Sequence, residues 1–271
     1  MEDICEKNMP VAGYFAAALI GITLGLIGGG GSILTIPVLV YLFGISPVTA
    51  TGYSLFIVGC TSLAGAIRNY TRHQVNINTG IYFGIASLIT VFITRKFLIA
   101  LIPEHLFFIG HIDVTKSLLT MILFAALMIV VSIKMITEKN VVTKIKNDKT
   151  IGVPKIIIIG IGIGLITGLL GAGGGFLIIP VLIYIFNLPM KKAIGTSLFI
   201  ISINSLVGFL GDIMNEKMNW EFLLSISAIA IAGVFIGDKL NERIDGKKLR
   251  KGFGWFILLL GVYIIGKEIL V

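Results

Sequence analysis

Uncharged apolar stretches recur along the whole chain and predict its structural elements. In chain order they cover residues 11–43, 48–67, 77–94 (or as far as 102), 117–136, 156–186, 193–210, 222–236 and 253–265. A helix that crosses the hydrocarbon core of a bilayer needs about 20 predominantly apolar residues. The pattern therefore predicts an all-α polytopic membrane protein.

The first apolar stretch of each half is too long to be one ordinary span. A continuous helix over the 33 residues from 11 to 43 would be about 50 Å long, well beyond a hydrocarbon core of about 30 Å. Glycine runs, GLIGGGG at 25–31 and GLLGAGGG at 168–175, lie inside the two long stretches. We expect each stretch to be interrupted there, either as one strongly tilted helix or as a helical hairpin that spans or re-enters.

The chain contains an internal duplication. Residues 25–65 align with residues 168–208 without a gap, at a shift of 143, and 21 of the 41 positions are identical. The identities include glycines, prolines and serines, which apolar composition alone would not bring into register. We predict a single membrane domain over 1–271, with repeat one at about 11–136, a polar linker at 137–155 and repeat two at about 156–271.

Basic residues decide between the tilted helix and the hairpin. They cluster at 68–72, in the linker 137–155, at 191–192 and in the loop 239–251. Short cytoplasmic loops carry an excess of Lys and Arg, and all four clusters share one side only if each broken stretch is a hairpin. Each half then makes an odd number of passages, so the two repeats are predicted to be inverted, each a Gly-broken hairpin followed by three transmembrane helices. The linker and the loop 239–251 are predicted to be cytoplasmic and both termini outside, with Arg95 and Lys96 as the exception to the rule.

Composition and charge narrow the functional classes. Only 13% of the residues are charged and the mean hydropathy is +1.01, whereas about a quarter of the residues of a soluble domain are charged. The net charge of +8 comes from short loops rather than from one domain face, so no nucleic-acid partner is predicted. Neither the cysteines nor the histidines have metal-ligand spacing, and the glycine runs lack the lysine of a phosphate-binding loop. The protein is predicted to use no cofactor or metal and not to be an enzyme.

The glycine tips are the candidate substrate site. The segments after them are about half a span long, so their first free backbone N–H groups would lie inside the membrane, where an anion is favoured. Inverted repeats would bring both tips near the midplane. The predicted substrate-binding residues at the tips are Gly28, Gly29, Gly30, Gly31, Ser32, Gly171, Gly173, Gly174 and Gly175. The alternative is that these glycines only let helices pack closely.

Polar side chains downstream of each tip could supply further donors to an oxyanion. They are Tyr53, Ser54, Thr196, Ser197 and Asn204. For a single Ser or Thr the alternative is a hydrogen bond to its own helix, and for Asn204 a hydrogen bond between helices.

Four charged residues lie near predicted span ends, where snorkelling to the interface is the expected arrangement. They are Arg68, Arg95, Asp212 and Asp238. No carboxylate is predicted to be buried as a proton relay would require, and H⁺ is kept only as a candidate coupling ion. The expected partners are the lipid bilayer and a small anion.

The duplicated segments resemble a known family. GLIGGGGSILTIPVLV followed by TATGYSLF, and GLLGAGGGFLIIPVLI followed by KAIGTSLFIISINSLVG, are similar to the doubled signature of the sulfite exporter TauE/SafE family of membrane permeases. The first copy departs from it with Tyr53 where the second keeps Thr196. The resemblance implies a secondary transporter, described as an exporter, for small sulfur-containing anions such as sulfite or sulfonates. The alternatives are a membrane-embedded partner subunit and a permease for another small organic anion.

Overall fold

A computed structural model describes residues 11–29, 32–45, 47–94, 105–109, 112–137, 152–170, 175–212 and 218–270. These residues form ten helices and one two-stranded antiparallel sheet. In chain order the elements are α1 Val11–Ile27, α2 Ser32–Tyr41, α3 Pro47–Thr71, α4 Ile77–Ile93, β1 His105–Ile109, β2 Ile112–Thr115, α5 Lys116–Thr137, α6 Val153–Leu170, α7 Gly175–Tyr184, α8 Met190–Asp212, α9 Trp220–Arg243 and α10 Gly246–Leu270.

The helices confirm the prediction of an all-α polytopic membrane protein. Four of them are long and apolar enough to cross a membrane over the ranges Thr49–Thr71, Met190–Leu210, Trp220–Arg243 and Gly246–Gly266. Shorter apolar helices include Gly13–Ile27, Ile77–Ile93, Ala125–Thr137 and Val153–Ile166. The outward faces of these helices carry many exposed large hydrophobic side chains, as a lipid-facing surface requires.

One helix ends within each glycine run, and the next begins at the end of the run or directly after it. Helix α1 ends at Ile27 and α2 begins at Ser32, and α6 ends at Leu170 before α7 begins at Gly175. Helices α2 and α7 have 10 residues each, so each is about 15 Å long, half the thickness of a hydrocarbon core. The predicted interruption is therefore present in both halves.

The helix bounds follow the 143-residue register of the duplication. Helices α2, α3 and α4 begin at residues 32, 47 and 77, and α7, α8 and α9 begin at residues 175, 190 and 220. Each helix of the second set starts 143 residues after its equivalent in the first. The two halves are thus similar in sequence and also in the positions at which these helices begin.

Two pairs of helices, each with one helix from either half, pack in antiparallel fashion. In the contact between α3 and α8, a Cβ atom on Gly59 would come within 2.8 Å of Leu206, and one on Gly65 would come within 3.0 Å of Leu198. Residue numbers rise along one helix as they fall along the other, so the two helices are antiparallel. Helices α5 and α10 pack against each other in the same antiparallel way.

The first helix of each repeat packs along the fourth helix of the other repeat. In the contact between α1 and α9, Gly21 lies against the Ala230 backbone and Gly25 against Val234, so these two helices are parallel. Helices α6 and α4 pair equivalently. The main buried cluster accordingly draws on both repeats, with Leu24 and Ile194 among its fully enclosed side chains.

The hairpin of β1 and β2 was not predicted from the sequence. It is antiparallel, with Phe108 opposite Asp113 and Ile109 opposite Ile112, and it leads directly into α5. Its aromatic and β-branched residues have high strand propensity, and the apolar pattern used to find spans does not separate so short a pair from a span end.

Three of the basic clusters meet at one end of the helix bundle. Arg72, after α3, forms an ion pair with Glu242, and Lys191, at the start of α8, donates a hydrogen bond to the Glu242 carbonyl at 3.0 Å. We call the end of the bundle that contains Arg72, Lys191 and Glu242 the basic end. Most of the linker, residues 138–151, lies outside the described residues.

Candidate functional site

The two glycine tips touch each other. A Cβ atom on Gly29 would collide with the Gly175 carbonyl, and a Cβ atom on Gly175 would lie 2.8 Å from the Gly29 carbonyl oxygen and 2.9 Å from Ser32 Oγ. Backbones can approach this closely only where both residues lack a side chain. The structure therefore brings together Gly29 and Ser32 of the first tip and Gly175 of the second.

Gly28 turns the chain at the end of α1. Its φ is +76°, in the left-handed region, and its N–H donates to the Leu24 carbonyl at 2.7 Å. A Cβ atom here would also lie 2.8 Å from Ser197 Oγ and 3.2 Å from Ile179 Cδ1. Position 28 requires glycine for two reasons: its φ is positive, and the side chains of α7 and α8 leave no room for a Cβ atom.

The positive end of α2 lies at this contact. Ser32, its first residue, donates a hydrogen bond from Oγ to the Gly29 carbonyl at 2.6 Å, which ties the helix start to the tip. The first N–H groups of a helix have no partner within the helix, and the helix dipole is positive there. Of the predicted tip residues, Gly30, Gly31, Gly171, Gly173 and Gly174 lie outside the described residues.

Among the predicted downstream hydroxyls, Ser197 is the one placed against a tip. It is fully buried, and its Oγ donates to the Ile194 carbonyl of its own helix at 2.8 Å. Its equivalent, Ser54, is also buried. Ser197 thus adopts the alternative helix-bonded arrangement while its oxygen faces Gly28.

The hydroxyls of Tyr53 and Thr196 each contact the N-cap residue of a helix in the opposite repeat. The Tyr53 hydroxyl accepts a hydrogen bond from the Asn219 N–H at 2.9 Å, and Thr196 Oγ1 accepts one from the Asn76 N–H at 2.9 Å. Asn219 and Asn76 are themselves the N-caps of α9 and α4. These two contacts are equivalent in the 143-residue register, so their evident role is to join the repeats.

Asn204 forms a hydrogen bond between helices. Its Nδ2 donates to Ser87 Oγ of α4 at 3.2 Å, whereas its Oδ1 has no partner among the described residues. This is the packing arrangement given above as the alternative to ligand contact. Anion binding by Tyr53, Thr196 or Asn204 stays a prediction.

A buried carboxylate lies where the sequence predicted none. Asp238 of α9 is only 3% exposed, and its Oδ2 is 2.5 Å from Arg68 Nε and 2.6 Å from Arg72 Nη1. Asn69 Nδ2 approaches the other oxygen, Oδ1, at 3.3 Å. The expectation that Asp238 snorkels to the interface is wrong, because parallel packing of α3 and α9 brings opposite charges together inside the protein.

The sequence contained a signal for this cluster. Arg68 and Arg72 are four residues apart, as are Asp238 and Glu242, so each pair lies on one face of its helix. A basic pair at the end of one apolar span and an acidic pair at the end of another indicate a possible ion-pair contact between the two helices. The sequence alone does not show that α3 and α9 are neighbours.

The charge cluster adjoins the end of α1 and breaks the symmetry of the repeats. Asn241 Nδ2 donates to the Leu26 carbonyl at 2.7 Å, just before the first tip. In the 143-residue register Arg68 corresponds to Gly211 and Asp238 to Arg95, so the equivalent positions do not provide a second oppositely charged pair. Within the described part of the chain, no group of His, Cys, Asp or Glu could hold a metal ion.

A helical membrane domain of two related halves, with broken helices meeting between them, has the architecture of a membrane transporter. The chain belongs to the sulfite exporter TauE/SafE family, whose family model matches residues 14–264. The resemblance found in the sequence is thereby confirmed. The protein is a membrane transporter, or permease, of the TauE/SafE type.

Curated relatives carry the same description. A "Probable membrane transporter protein" of Xylella fastidiosa (strain Temecula1) is 28% identical over 258 residues, which is 93% of this chain and 94% of the relative. The "Probable membrane transporter protein YunE" of Bacillus subtilis is 26% identical over 269 residues, 91% of this chain and 94% of the relative. No solved structure is a significant match to the chain.

Proposed function

We propose that the protein is a secondary active transporter that exports small sulfur-containing anions such as sulfite or organosulfonates by alternating access. The single observation that carries the proposal is the meeting of the two tips, where Gly29 of one repeat contacts Gly175 of the other. A site between two half-helices is the arrangement that transporters with broken helices use.

The chemistry of the tips favours an anion. Helices α2 and α7 each begin at the tip contact, so two positive helix ends converge there. Backbone N–H groups and helix dipoles bind an oxyanion without a buried fixed charge, which would be costly at membrane depth. The family description, sulfite exporter, agrees with this choice of anion.

The proposed transport mechanism is alternating access between two inverted repeats. Its support is the antiparallel packing of equivalent helices, α3 against α8 and α5 against α10. The basic end is proposed to face the cytoplasm, because it gathers Arg72, Lys191 and the loop 239–251. We propose H⁺ as the coupling ion.

The test is flux of a labelled anion in proteoliposomes. Purified protein should give saturable sulfite efflux that an imposed pH gradient accelerates, and methanesulfonate should compete with it. Liposomes containing a different membrane protein at the same density are the control. Absence of saturable flux for sulfite, thiosulfate and methanesulfonate would overturn the proposal.

The direct contact between the tips also favours a second candidate function, a membrane-embedded subunit whose glycines serve packing alone. It predicts no anion-dependent stabilisation, whereas a ligand that binds only the folded protein raises its apparent stability. Thermal unfolding in detergent with and without sulfite separates the two candidates. Equal melting temperatures, together with a partner protein that copurifies in fixed ratio, would favour the subunit.

A further inference from the structure

Thr35 has a fully buried hydroxyl whose hydrogen bonding is incomplete within the described part of the chain. It lies in the first turn of α2, is 0% exposed, and its Oγ1 has no hydrogen-bond partner among the described residues. Thr61 and Ser202, which are also buried, donate to a carbonyl of their own helix, to Ile57 at 2.6 Å and to Phe199 at 2.8 Å. Ser62 Oγ and Ser227 Oγ share the unpaired state of Thr35, but Thr35 is the one of the three in a half-helix that begins at the tip contact. An unsatisfied buried polar group is destabilising and therefore calls for an explanation.

The hydroxyl lies on the face of α2 that meets the second tip. Ser32 and Thr35 are three residues apart, so they are neighbours on one helix face. Ser32 Oγ is the atom that a Cβ on Gly175 would approach to 2.9 Å. Helical side chains lean toward the N-terminus, which directs the Thr35 side chain toward the same contact.

Only the first repeat has this hydroxyl. The register equivalents of Ser32 and Thr35 are Gly175 and Ile178, and Ile178 is a buried apolar residue. The two half-helices present similar backbones and different side chains at the tip contact. A ligand bound there would meet a hydroxyl-bearing helix on one side and an apolar helix on the other.

We propose that Thr35 Oγ1 donates a hydrogen bond to an oxygen atom of the transported anion, at the N-terminal end of α2. The inference rests on the proposed function. It adds one binding residue to that site and makes its α2 side more polar than its α7 side. The hydroxyl completes its hydrogen bonding only when an oxyanion is present, alongside the free N–H groups of the first helical turn. The oxyanion is consequently held mainly by α2, and the apolar side chain of Ile178 faces its less polar part.

Two substitutions test the proposal. Thr35→Val keeps the shape and removes the hydroxyl, whereas Thr35→Ser keeps the hydroxyl. Thr61→Val is the matched control, because Thr61 is equally buried but bonds within its own helix. The measurements are the melting temperature without anion and the Kd for sulfite, from the rise in melting temperature with sulfite concentration, plus sulfite flux in proteoliposomes.

Thr35→Val should raise the Kd for sulfite about 10-fold or more, as expected for the loss of one charge-assisted hydrogen bond. Its melting temperature without anion should equal or exceed that of the wild type, since an unsatisfied hydroxyl has been removed. Thr35→Ser should bind sulfite within about threefold of the wild type, and Thr61→Val should bind like the wild type.

A folded Thr35→Val protein that binds and transports sulfite like the wild type would overturn the role of Thr35 and leave the proposed function intact. Equal losses in Thr35→Val and Thr61→Val would also overturn it, because the effect would then be one of packing. A wild-type protein that neither binds nor transports the anions would overturn the proposed function and this inference together.

Discussion

Gly29 and Gly175 show how much of the protein depends on residues without a side chain. Each lies against the backbone of the other, so no substitution can be absorbed by rotating a flexible neighbour. The sequence indicated the importance of the glycine runs through their duplication, but not which glycines touch. Which glycines touch depends on how the two repeats pack together, and only the structure shows that.

Gly29→Ala should destabilise the protein, because the added methyl group would be forced into the Gly175 carbonyl. We expect a loss of about 1–3 kcal/mol, the usual effect of overpacking a well-packed interior. Gly162→Ala is the control, since a Cβ there meets nothing within 4 Å, and it should be neutral or slightly stabilising. Melting temperatures in detergent compare the two, and equal values would contradict the tip contact.

Asp238→Asn should also destabilise the protein, because Arg68 and Arg72 would lose the carboxylate that they share. The two arginine side chains are about one-third exposed, so we expect about 1–3 kcal/mol, less than for a fully buried pair. Glu242→Gln is the matched control, as Glu242 is 48% exposed and its loss should be nearly neutral. Chemical denaturation in mixed micelles provides the measurement; an Asp238→Asn protein as stable as Glu242→Gln would contradict a structural role for the cluster.

At the scale of elements, the apolar pattern predicted where the helices lie along the chain but not which helices pack against each other. The breaks before α2 and α7 were predictable because a helix of that length cannot fit the bilayer and glycine is the residue that permits a break. The pairings of α1 with α9 and α3 with α8 were not predictable, because nearly uniform apolar helices carry little information about partner faces. For the same reason the sequence does not show that the hydroxyls of Tyr53 and Thr196 accept hydrogen bonds from the N-caps of α9 and α4. Their predicted contact with the substrate stays a prediction.

Tyr53→Phe and Thr196→Val should each destabilise the contact between the repeats by about 1 kcal/mol, the net value of one hydrogen bond. The contacts lie at opposite ends of the antiparallel pair of α3 and α8, so the double variant should show the sum of the single effects. Tyr263→Phe is the control, because Tyr263 is exposed on α10. If Tyr53 and Thr196 serve only the helix starts, the Kd for sulfite stays unchanged in all variants. A selective rise in Kd would support their predicted place in the anion site.

At the scale of the whole molecule, the two halves have similar helices but different buried polar side chains. The register of 143 residues is kept by the starts of three helix pairs, while Thr35 is replaced by Ile178 in repeat two and the Arg68–Asp238 pair has no counterpart at the equivalent positions, Gly211 and Arg95. Duplication was readable from the sequence because glycine, proline and serine repeat in order. The functional differences between the halves were not, since they lie at positions where the repeats diverge and only packing reveals what each residue contacts.

The direction of insertion can be tested with single cysteines in a Cys5→Ser, Cys60→Ser background. Lys155→Cys and Lys248→Cys, near the starts of α6 and α10, should react only from the cytoplasmic side with an impermeant maleimide. Glu221→Cys, at the opposite end of α9, should react only from outside. Labelling of Lys155→Cys and Lys248→Cys from opposite sides would exclude the inverted arrangement.

The pairing of α1 with α9 also bears on how the chain is made. The ribosome produces α9 about 200 residues after α1, so at about 5–20 residues per second α1 waits about 10–40 s for its partner. During that time the glycine face around Gly21 and Gly25 has no protein neighbour from α9. Helix α1 has no charged residue, which lets it remain in the bilayer alone until α9 has been inserted.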